Sequence, residues 1–476
     1  MISEHIAFQI YANFGFEPTF GQKKIVESLS DFISGSNHST ILILNGYAGT
    51  GKTTLMAAFV KAIKQLSIKP ILLAPTGRAA KVFSQFAGEK AGTIHKKIYR
   101  QRSATDPDAR FTLDQNRERD ACFIVDEASM LANSSGEGSV FGSGDLLDDL
   151  VTYVRNGARC RLIVVGDNAQ LPPVGHDRSP ALDPKRMGVY GPVIYCTLDE
   201  VVRQQEESGI LFNATLVRCM LEAGLYDKPL LRTSSPDVHA IGGGELMEAV
   251  EECYSRFGRE ETIIITRSNK RANRFNEGVR RMVLQAEGEI ESGDMLMVVK
   301  NNYHYAGGDE DDKMEFIANG DIGRLQRLRR YEDLYGFRFA DAMMTFPDYD
   351  ERQIECKILL DTLSSEAPAL TREQSDLLFR GVSEDYADIK SKAKRYKEVR
   401  ENPHYNAVQV KFAYAVTCHK AQGGQWSAVF IDRLLFGDEH MTRDWMRWLY
   451  TAITRATERL YLVNFDDSFL EEGAQE

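Results

Sequence analysis

Short continuous apolar runs recur along the first part of the chain, and helical stretches separate them. Four such runs precede residue 170, at residues 40–44, 70–74, 121–125 and 161–165. A strand that is buried on both faces of a parallel sheet has this pattern. Helical spacing of apolar residues covers residues 20–29 and 54–65 and resumes at Ala79. The alternation predicts a doubly wound α/β domain, in which ligands bind beyond the carboxyl ends of the strands.

The same rhythm returns after about residue 200. Buried strands are predicted at residues 262–266, 408–416, 428–432 and 460–464. Between the first two of them, residues 294–363 show short alternating strands with Gly, Asn and Asp turns, which predicts a small inserted β domain. Residues 364–401 are charged and predict helices. The second half of the chain is therefore expected to be another α/β unit with an insert.

Two polar stretches interrupt the first α/β unit. Residues 101–120 carry one central aromatic residue, Phe111, and predict a small protruding hairpin. Phe111 fits either the tip of this hairpin or its core. Residues 133–144 are rich in Gly and Ser and predict a mobile loop.

The composition is that of an ordinary soluble globular protein. The 476 residues are 43% hydrophobic and 27% charged, which suits about two to four domains. No apolar run approaches the roughly 20 residues that span a bilayer, and the N-terminus lacks the pattern of a secretory signal. The seven cysteines are scattered and form no C-x-x-C pair, which argues against a zinc site and a disulfide framework. We expect small buried cysteines, a reducing compartment and a cytoplasmic location.

The net charge of −11 weighs against a protein that coats nucleic acid, because such proteins are usually basic. It does not exclude a protein that holds nucleic acid in one local basic groove. The charge therefore limits the affinity more than it excludes this class of partner.

A glycine-rich segment follows the first buried run. Residues 46–53 read Gly-Tyr-Ala-Gly-Thr-Gly-Lys-Thr and fit the G-x-x-x-x-G-K-[ST] phosphate loop, between a predicted strand and a predicted helix. The glycines let backbone N–H groups approach phosphate oxygens, and the helix adds its positive N-terminal end. In this pattern Lys52 reaches the β- and γ-phosphates and Thr53 ligates Mg²⁺. The alternative is a glycine-rich turn that binds nothing.

Polar residues also end the next buried runs. Asp126 would hold Mg²⁺ through water and Glu127 would orient or deprotonate an attacking water, although helix N-termini also favour acidic pairs. Gln170 follows the fourth run and fits either a γ-phosphate contact or a turn. Arg203 and Arg455 are candidates for a cation that reaches the γ-phosphate from another domain. Each also fits an ordinary surface arginine.

In their order, these motifs resemble those of the superfamily 1 helicases, specifically the RecD-like branch with the phage Dda-type enzymes. The set extends from near residue 20 to near residue 460. It comprises Gln22, GYAGTGKT, APTGRAAK at 74–81, TIH at 93–95, DEASM at 126–130, GDNAQLPP at 166–173, VRQ at 202–204, ITRSNKRANRFN at 265–276, NGDIG at 319–323, AVTCHKAQGGQW at 415–426 and LYTAITRATERL at 449–460. Several of these strings are weak alone, but the joint match is specific.

The resemblance implies two RecA-like domains of doubly wound parallel sheet, with ATP between them. The first would span residues 1–198, with a hairpin insert at 98–120. The second would comprise residues 199–285 and 405–476, and residues 286–404 would hold an SH3-like β insert and a helical segment. The implied activity is that of an ATP-dependent DNA helicase that moves 5′ to 3′ on single-stranded DNA.

The resemblance also implies a role for individual residues. The implied catalytic set is Lys52, Glu127, Gln170, Arg203 and Arg455. The implied ATP contacts are Gln22 on the adenine, Gly46, Gly49, Thr50, Gly51, Lys52, Thr53, Thr54 and Gln425, and the implied Mg²⁺ ligands are Thr53 and Asp126. The implied DNA contacts are Thr76, Gly77, His95, Asn269, Thr417 and His419. Gln425 departs from the relatives, which often carry Glu at that position.

Two functions therefore stay open at this point. One is a helicase that acts as a monomer on single-stranded DNA and on single-strand/duplex junctions in replication or repair, together with proteins of those processes. The other is a switch or remodeller that binds nucleic acid without unwinding it, with a partner on the insert. His95 has the competing interpretation of a capping or core residue, and Tyr303 and Trp426 are expected to be packing residues. No nuclease motif is found.

Overall fold

The structure, a computed structural model, describes residues 2–101, 111–132, 142–202, 208–305, 317–433 and 441–471. Their strands form two parallel sheets, a closed barrel and a two-stranded hairpin. Among these residues, no helix combines the length and the apolarity that crossing a membrane requires.

A six-stranded parallel sheet organises the first part of the chain. The strands of this part are β1 (Ile41–Gly46), β2 (Lys69–Ala74), β3 (Ala91–Thr93), β4 (Tyr99–Gln101), β5 (Phe111–Leu113), β6 (Ala121–Val125), β7 (Arg161–Gly166) and β8 (Val193–Leu198). The helices are α1 (Ile2–Ala12), α2 (Phe20–Ser34), α3 (Lys52–Gln65), α4 (Gly77–Ala87), α5 (Ile94–Ile98), α6 (Leu146–Asn156) and α7 (Pro184–Met187). The strand order in the sheet is β3-β2-β6-β7-β1-β8.

The central strands are buried on both faces, as their continuous apolar runs predict. In β1, Leu42 and Leu44 pack in one core with residues of α1, α2 and α3. Ile41 and Ile43 alternate with them and pack in a second core that includes Leu147 of α6. The four predicted strands of this part are confirmed, and β1 and β7 each lead directly toward polar residues at the carboxyl edge.

The second part of the chain contains a five-stranded parallel sheet and the barrel. Its strands are β9 (Val238–Ile241), β10 (Thr262–Thr266), β11 (Met295–Val298), β12 (Ile322–Leu334), β13 (Phe337–Phe346), β14 (Arg352–Leu359), β15 (Val408–Phe412), β16 (Ala415–Thr417), β17 (Trp426–Asp432) and β18 (Ala456–Val463). Its helices are α8 (Gly209–Ala223), α9 (Leu246–Phe257), α10 (Asn269–Gly278), α11 (Arg372–Glu384), α12 (Lys392–Glu401), α13 (Cys418–Ala421) and α14 (Arg443–Ile453). The sheet order is β16-β10-β17-β18-β9, and β11 to β15 close the barrel.

The prediction of one strand over residues 408–416 is wrong. Here β15 pairs with β11 and β14 in the barrel, whereas β16 pairs with β10 in the parallel sheet. Both strands are buried, so the apolar run does not mark the change of sheet. We therefore propose that the chain returns to the second parallel-sheet domain after Phe412 rather than at residue 405. The other domain limits stay as predicted.

The fold class is confirmed, because each parallel sheet carries helices and a small barrel interrupts the second. The predicted hairpin is present as the antiparallel pair β4–β5, although residues 102–110 lie outside the described residues. Phe111 is buried and its ring lies 4.8 Å from that of Tyr303, which favours packing for both residues. Most of the predicted mobile loop, residues 133–141, also lies outside the described part. All seven cysteines are free, and Cys219 alone of them is exposed.

Candidate functional site: a cleft between two parallel sheets

A cavity of about 440 Å³ lies between the carboxyl edge of the first sheet and the second parallel-sheet domain. Its lining contains these predicted site residues: Gly49, Gly51, Lys52, Thr53, Thr54, Asp126, Glu127, Gln170, Gln425 and Arg455. Residues far apart in the sequence therefore meet in one cleft, with Gln425 and Arg455 contributed by the second domain. Gly46, Thr50 and Gln22 do not line this cavity, and Arg203 lies outside the described residues.

The phosphate loop requires its glycines for two different reasons. Gly49 and Gly51 have φ angles of +72° and +77°, which residues with a Cβ rarely adopt. A Cβ on Gly49 would also lie 2.3 Å from a methyl carbon of Leu211 in α8. A Cβ on Gly51 would lie 2.6 Å from the Gln22 amide nitrogen. The loop is therefore packed tightly between its own domain and the second one.

Lys52 lies over the loop that it follows. Its Nζ donates to the carbonyl oxygens of Gly46 at 2.5 Å and Tyr47 at 2.8 Å. Its charge also acts on Asp126 and Asp167, where it lowers the pKa against the larger raising effect of burial. Neutral carbonyl oxygens thus hold the ammonium near the acidic residues at the carboxyl edge of the sheet. Phosphate oxygens of a bound nucleotide can replace these carbonyl oxygens.

Gln22 supports the loop from behind. It is fully buried, and its side chain closes a capping box with Thr19 at the start of α2. Its Nε2 donates to the Thr50 carbonyl at 3.2 Å. Both ends of the amide are used inside the protein, so this geometry explains a structural role. The adenine contact stays a prediction.

The acidic pair sits at the end of β6. Burial, followed by the charge of Glu127, raises the pKa of Asp126, and the Glu127 N–H donates to Asp126 Oδ1 at 2.9 Å. Glu127 has a φ angle of +51°, in the left-handed region. A residue other than Gly in this region costs on the order of 1–3 kcal/mol and is concentrated at functional sites. The backbone is therefore strained at Glu127, whose carboxylate lies 3.5 Å from Arg455 Nη1 of the second domain.

The side-chain oxygens of Thr53 and Asp126 fit Mg²⁺. Both residues line the cavity and offer a hydroxyl and a carboxylate oxygen, the hard ligands that this ion prefers. Mg²⁺ usually takes one or two carboxylates and completes its shell with waters and phosphate oxygens. No cluster of three or more His, Cys, Asp or Glu side chains suited to a metal occurs among the described residues, so no competing all-protein cage is present there.

Arg455 crosses the cleft. Its Nη1 lies 3.5 Å from Glu127 Oε1, and its side chain is only 4% exposed. Three oxygens of its own domain orient the guanidinium: the carbonyls of Thr451 and Gly424 and the hydroxyl of Thr454, each at 3.1 Å. A cation fixed in this way is pre-organised to meet negative charge from the first domain.

Gln170 also faces the cavity and is 6% exposed. Among the described residues, its buried Oε1 has no hydrogen-bond partner. A buried amide without a partner is costly, so such a group usually serves a ligand or a water. Because an amide can turn over, Gln170 can present its NH₂ to a phosphate oxygen or its oxygen to a water molecule.

Tyr450 of α14 links the phosphate loop to the end of β7, a contact for which no local sequence pattern exists. Its hydroxyl accepts from the Ala48 N–H at 2.9 Å and donates to Asp167 Oδ2 at 2.6 Å. Burial and the neighbouring Asp167 raise the pKa of Tyr450 far above its usual range, so the hydroxyl keeps its proton. A second cross-domain contact puts the Arg218 guanidinium 4.5 Å from the centre of the Tyr47 ring.

Replacing Tyr450 by Phe is expected to destabilise the protein by about 1.5–3 kcal/mol, because a hydrogen bond to a buried carboxylate is lost. The urea midpoint of unfolding measures this loss. Tyr11→Phe is the matched control, since its hydroxyl makes only a 3.5 Å contact with the Lys23 carbonyl. Equal urea midpoints for Tyr450→Phe and the wild type would contradict the expected contribution of this contact to stability.

The predicted DNA contacts fall into three places. Thr76 caps α4, because its side chain accepts a hydrogen bond from the Ala79 N–H. Gly77 lies close to the barrel: a Cβ on Gly77 would be 2.4 Å from the hydroxyl of Tyr349, which lies between β13 and β14. Burial lowers the pKa of His95 to about 4, so His95 is neutral near pH 7. Asn269 and Thr417 line one narrow pocket next to the barrel, and burial lowers the pKa of the nearby His419.

The fold and the cleft together define a class: two parallel-sheet domains, with a phosphate loop on one and an arginine from the other beside its acidic pair. The sequence comparisons agree with this class. Residues 21–218 match the AAA domain family, and residues 412–463 match the UvrD-like helicase C-terminal domain family. The resemblance to the RecD-like branch of superfamily 1 helicases is thereby confirmed.

Two of the curated relatives that match over most of the chain are named as DNA helicases. The chain is 24% identical to the ATP-dependent RecD2 DNA helicase of Deinococcus radiodurans, over 93% of this chain and 50% of the relative. It is 23% identical to the ATP-dependent DNA helicase Dda of Enterobacteria phage T4, over 94% of this chain and 99% of the relative. The chain thus spans half the length of the first relative. Among solved structures, the Pif1 helicase from Bacteroides with ADP-AlF3 and single-stranded DNA shows 14% identity and a TM-score of 0.47, over 96% of this chain and 95% of that chain.

Proposed function

We propose that this chain is an ATP-dependent DNA helicase that translocates 5′ to 3′ on single-stranded DNA. ATP would be hydrolysed in the cleft between the two parallel-sheet domains. The observation that carries the proposal is the reach of Arg455 from the second domain to Glu127 of the first, at 3.5 Å. A phosphate loop alone serves many kinds of protein. A cation from a second domain makes hydrolysis depend on the distance between the domains, as a motor requires.

Each cleft residue has a part in this proposal. The loop glycines and Lys52 hold the β- and γ-phosphates, and Thr53 and Asp126 hold Mg²⁺. When bound there, Mg²⁺ would neutralise part of the charge on the phosphate oxygens. Glu127 orients and deprotonates the attacking water, and Arg455 meets the charge that develops on the γ-phosphate. Gln22 would contact the adenine, Gln170 the γ-phosphate and Gln425 the nucleotide, and Arg203 would be a second cation.

The two domains must grip the strand in turn. We propose Thr76, Gly77 and His95 as contacts of the first domain, and Asn269, Thr417 and His419 as contacts of the second. Hydroxyl, amide and backbone N–H donors bind phosphate without reading sequence. We further propose a monomer in the cytoplasm, with single-strand/duplex junctions and replication or repair proteins as partners. The curated relatives named as DNA helicases support this choice of nucleic acid.

Matched tailed duplexes test the function. We expect DNA to stimulate ATP hydrolysis and the protein to unwind a duplex with a 5′ single-stranded tail, but not one with a 3′ tail. RNA substrates of the same sequence measure the preference for DNA. Unwinding from the 3′ tail alone would contradict the polarity. Hydrolysis that DNA does not stimulate would contradict the class, and stimulated hydrolysis without strand separation would indicate a non-unwinding remodeller.

A further inference from the structure

Arg78 of the first domain crosses the cleft in the opposite direction to Arg455. It lies in the first turn of α4, and its side chain is 17% exposed. Its Nη2 donates to the carbonyl oxygen of Gln425 at 2.8 Å, and its guanidinium lies 4.4 Å from the centre of the Trp426 ring. A longer ion pair joins Nη2 to Glu261 at 3.8 Å. Arg78 therefore binds the start of β17 through a hydrogen bond and a cation–π contact.

The same short stretch, residues 424–426, also holds Arg455, and we call it the bridge segment. The Arg455 Nη1 donates to the Gly424 carbonyl at 3.1 Å, and the Trp426 N–H donates to the Arg455 carbonyl at 2.9 Å. Arg455 thus binds the first and last residues of the bridge segment, and Arg78 binds its last two. Because Arg455 reaches the acidic pair from this segment, a shift of the segment would move the cation within the cleft.

The bridge segment is closely packed against its neighbours. Gly423, which precedes it, has a φ angle of +75°, and a Cβ there would lie 3.0 Å from the Cβ of Ala79 in α4. A Cβ on Gly424 would lie 2.3 Å from the ring of Trp426. The indole ring under the Arg78 guanidinium thus packs against the glycine whose carbonyl orients the cleft arginine. Holding this ring in place therefore restricts the direction of that carbonyl.

We propose that Arg78 is a positioning residue for ATP hydrolysis. Through the bridge segment it holds the Arg455 guanidinium beside Glu127, where the γ-phosphate of the proposed substrate would lie. The inference rests on the proposed function and adds to it a residue of the first domain that controls the cation of the second. Two of the three oxygens that orient Arg455 belong to Thr451 and Thr454, and they do not depend on Arg78. Loss of Arg78 should therefore displace Arg455 in part and lower the rate less than loss of Arg455 itself.

DNA-stimulated ATP hydrolysis by Arg78→Met measures this role. We expect kcat to fall by about 10²-fold, the loss typical of a displacement of about 1 Å at a reacting centre, while the KM for ATP stays unchanged. Met keeps much of the arginine stem but neither its charge nor its donors. Arg78→Lys should recover part of kcat, because an ammonium can lie over the Trp426 ring and donate to one carbonyl. Lys81→Met is the control and should keep the wild-type kcat, since Lys81 is on the same helix but pairs with Asp348 at 3.2 Å.

Binding of a transition-state mimic separates positioning from general support of the fold. ADP with aluminium fluoride imitates the transferring phosphoryl group, which Arg455 would meet, whereas ADP alone lacks that group. We expect Arg78→Met to weaken binding of ADP with aluminium fluoride by about 10²-fold and to leave the affinity for ADP unchanged. In the Arg455→Ala background, Arg78→Met should have no further effect, because the two residues act as one unit.

Three results would overturn the inference. The first is a wild-type kcat in Arg78→Met. The second is an equal loss of affinity for ADP and for the mimic together with a lower thermal midpoint, which would show that Arg78 only supports the fold. The third is a loss of affinity for the mimic as large in the Arg455→Ala background as in the wild type, because Arg78 would then act without Arg455. A wild-type protein whose ATP hydrolysis DNA does not stimulate would instead overturn the proposed function.

Discussion

Lys52→Ala is expected to abolish ATP turnover, with kcat lower by at least about 10²–10³-fold, the loss typical when one pre-organised donor to a developing charge is removed. In the structure the Lys52 ammonium lies over the loop and acts electrostatically on Asp126 and Asp167. Its removal takes away the cation proposed to hold the phosphates and also frees the loop carbonyls of Gly46 and Tyr47 that it binds. Steady-state ATPase assays with saturating single-stranded DNA measure the effect.

DNA binding without nucleotide should survive in this variant, because the candidate strand contacts lie on other elements. Lys64→Ala is the matched control: Lys64 is on the same helix, α3, and pairs with Glu89 at the surface, so its variant should turn over ATP at the wild-type rate. Retained hydrolysis in Lys52→Ala would refute the site assignment. If Lys52→Ala loses hydrolysis because it unfolds, its thermal midpoint will be lower than that of the wild type. Lys52→Met, which keeps the stem of the side chain, then repeats the test.

The sequence was sufficient to predict the central strands because they are buried on both faces. In β1 every residue from Ile41 to Leu44 is apolar and buried, so the run is visible without any knowledge of neighbours. The same property caused the error at residues 408–416. Phe412 and Ala415 lie in one continuous apolar stretch, yet they belong to different sheets. Only pairing partners distant in sequence decide where the chain changes sheet.

The parts of the site that follow from local pattern were also predictable. The loop glycines, Lys52 and the acidic pair are each defined by a few neighbouring residues, and the cleft brings most of them together. The Tyr450 contact was not predictable, since its hydroxyl joins residues about 280 and 400 positions away. The buried, capping position of Gln22 was hidden for the same reason.

Two of the contacts that bridge the cleft differ in their chemistry. Tyr450 binds the backbone of the phosphate loop and Asp167 through one uncharged hydroxyl, whereas Arg455 meets Glu127 through charge. The first contact depends on the position of the loop. The second depends on the charge between the domains, which would change on binding of a γ-phosphate in the proposed site. Under the proposed function, domain closure would therefore respond both to the shape of the loop and to the nucleotide.

Arg455→Ala is accordingly expected to lower kcat by about 10³–10⁵-fold, the range found for arginines that stabilise phosphoryl-transfer transition states. The KM for ATP should change far less, because the loop and Lys52 are intact. Arg455→Lys should rescue little, since one ammonium cannot keep the three oriented donors to Thr451, Gly424 and Thr454 while reaching the first domain. DNA-stimulated ATPase rates and single-turnover hydrolysis measure both variants.

Arg459→Ala is the control: Arg459 is on β18, the strand that follows Arg455, and it pairs with Glu252 at 2.9 Å away from the cleft lining. It should keep the wild-type kcat and thermal midpoint. A kcat of Arg455→Ala within about tenfold of the wild type would show that Arg455 is not the cation in question. Arg203, which lies outside the described residues, would then be the cation to test. A loss of kcat in Arg203→Ala would identify Arg203 as that cation, whereas a wild-type kcat would show that hydrolysis needs neither arginine.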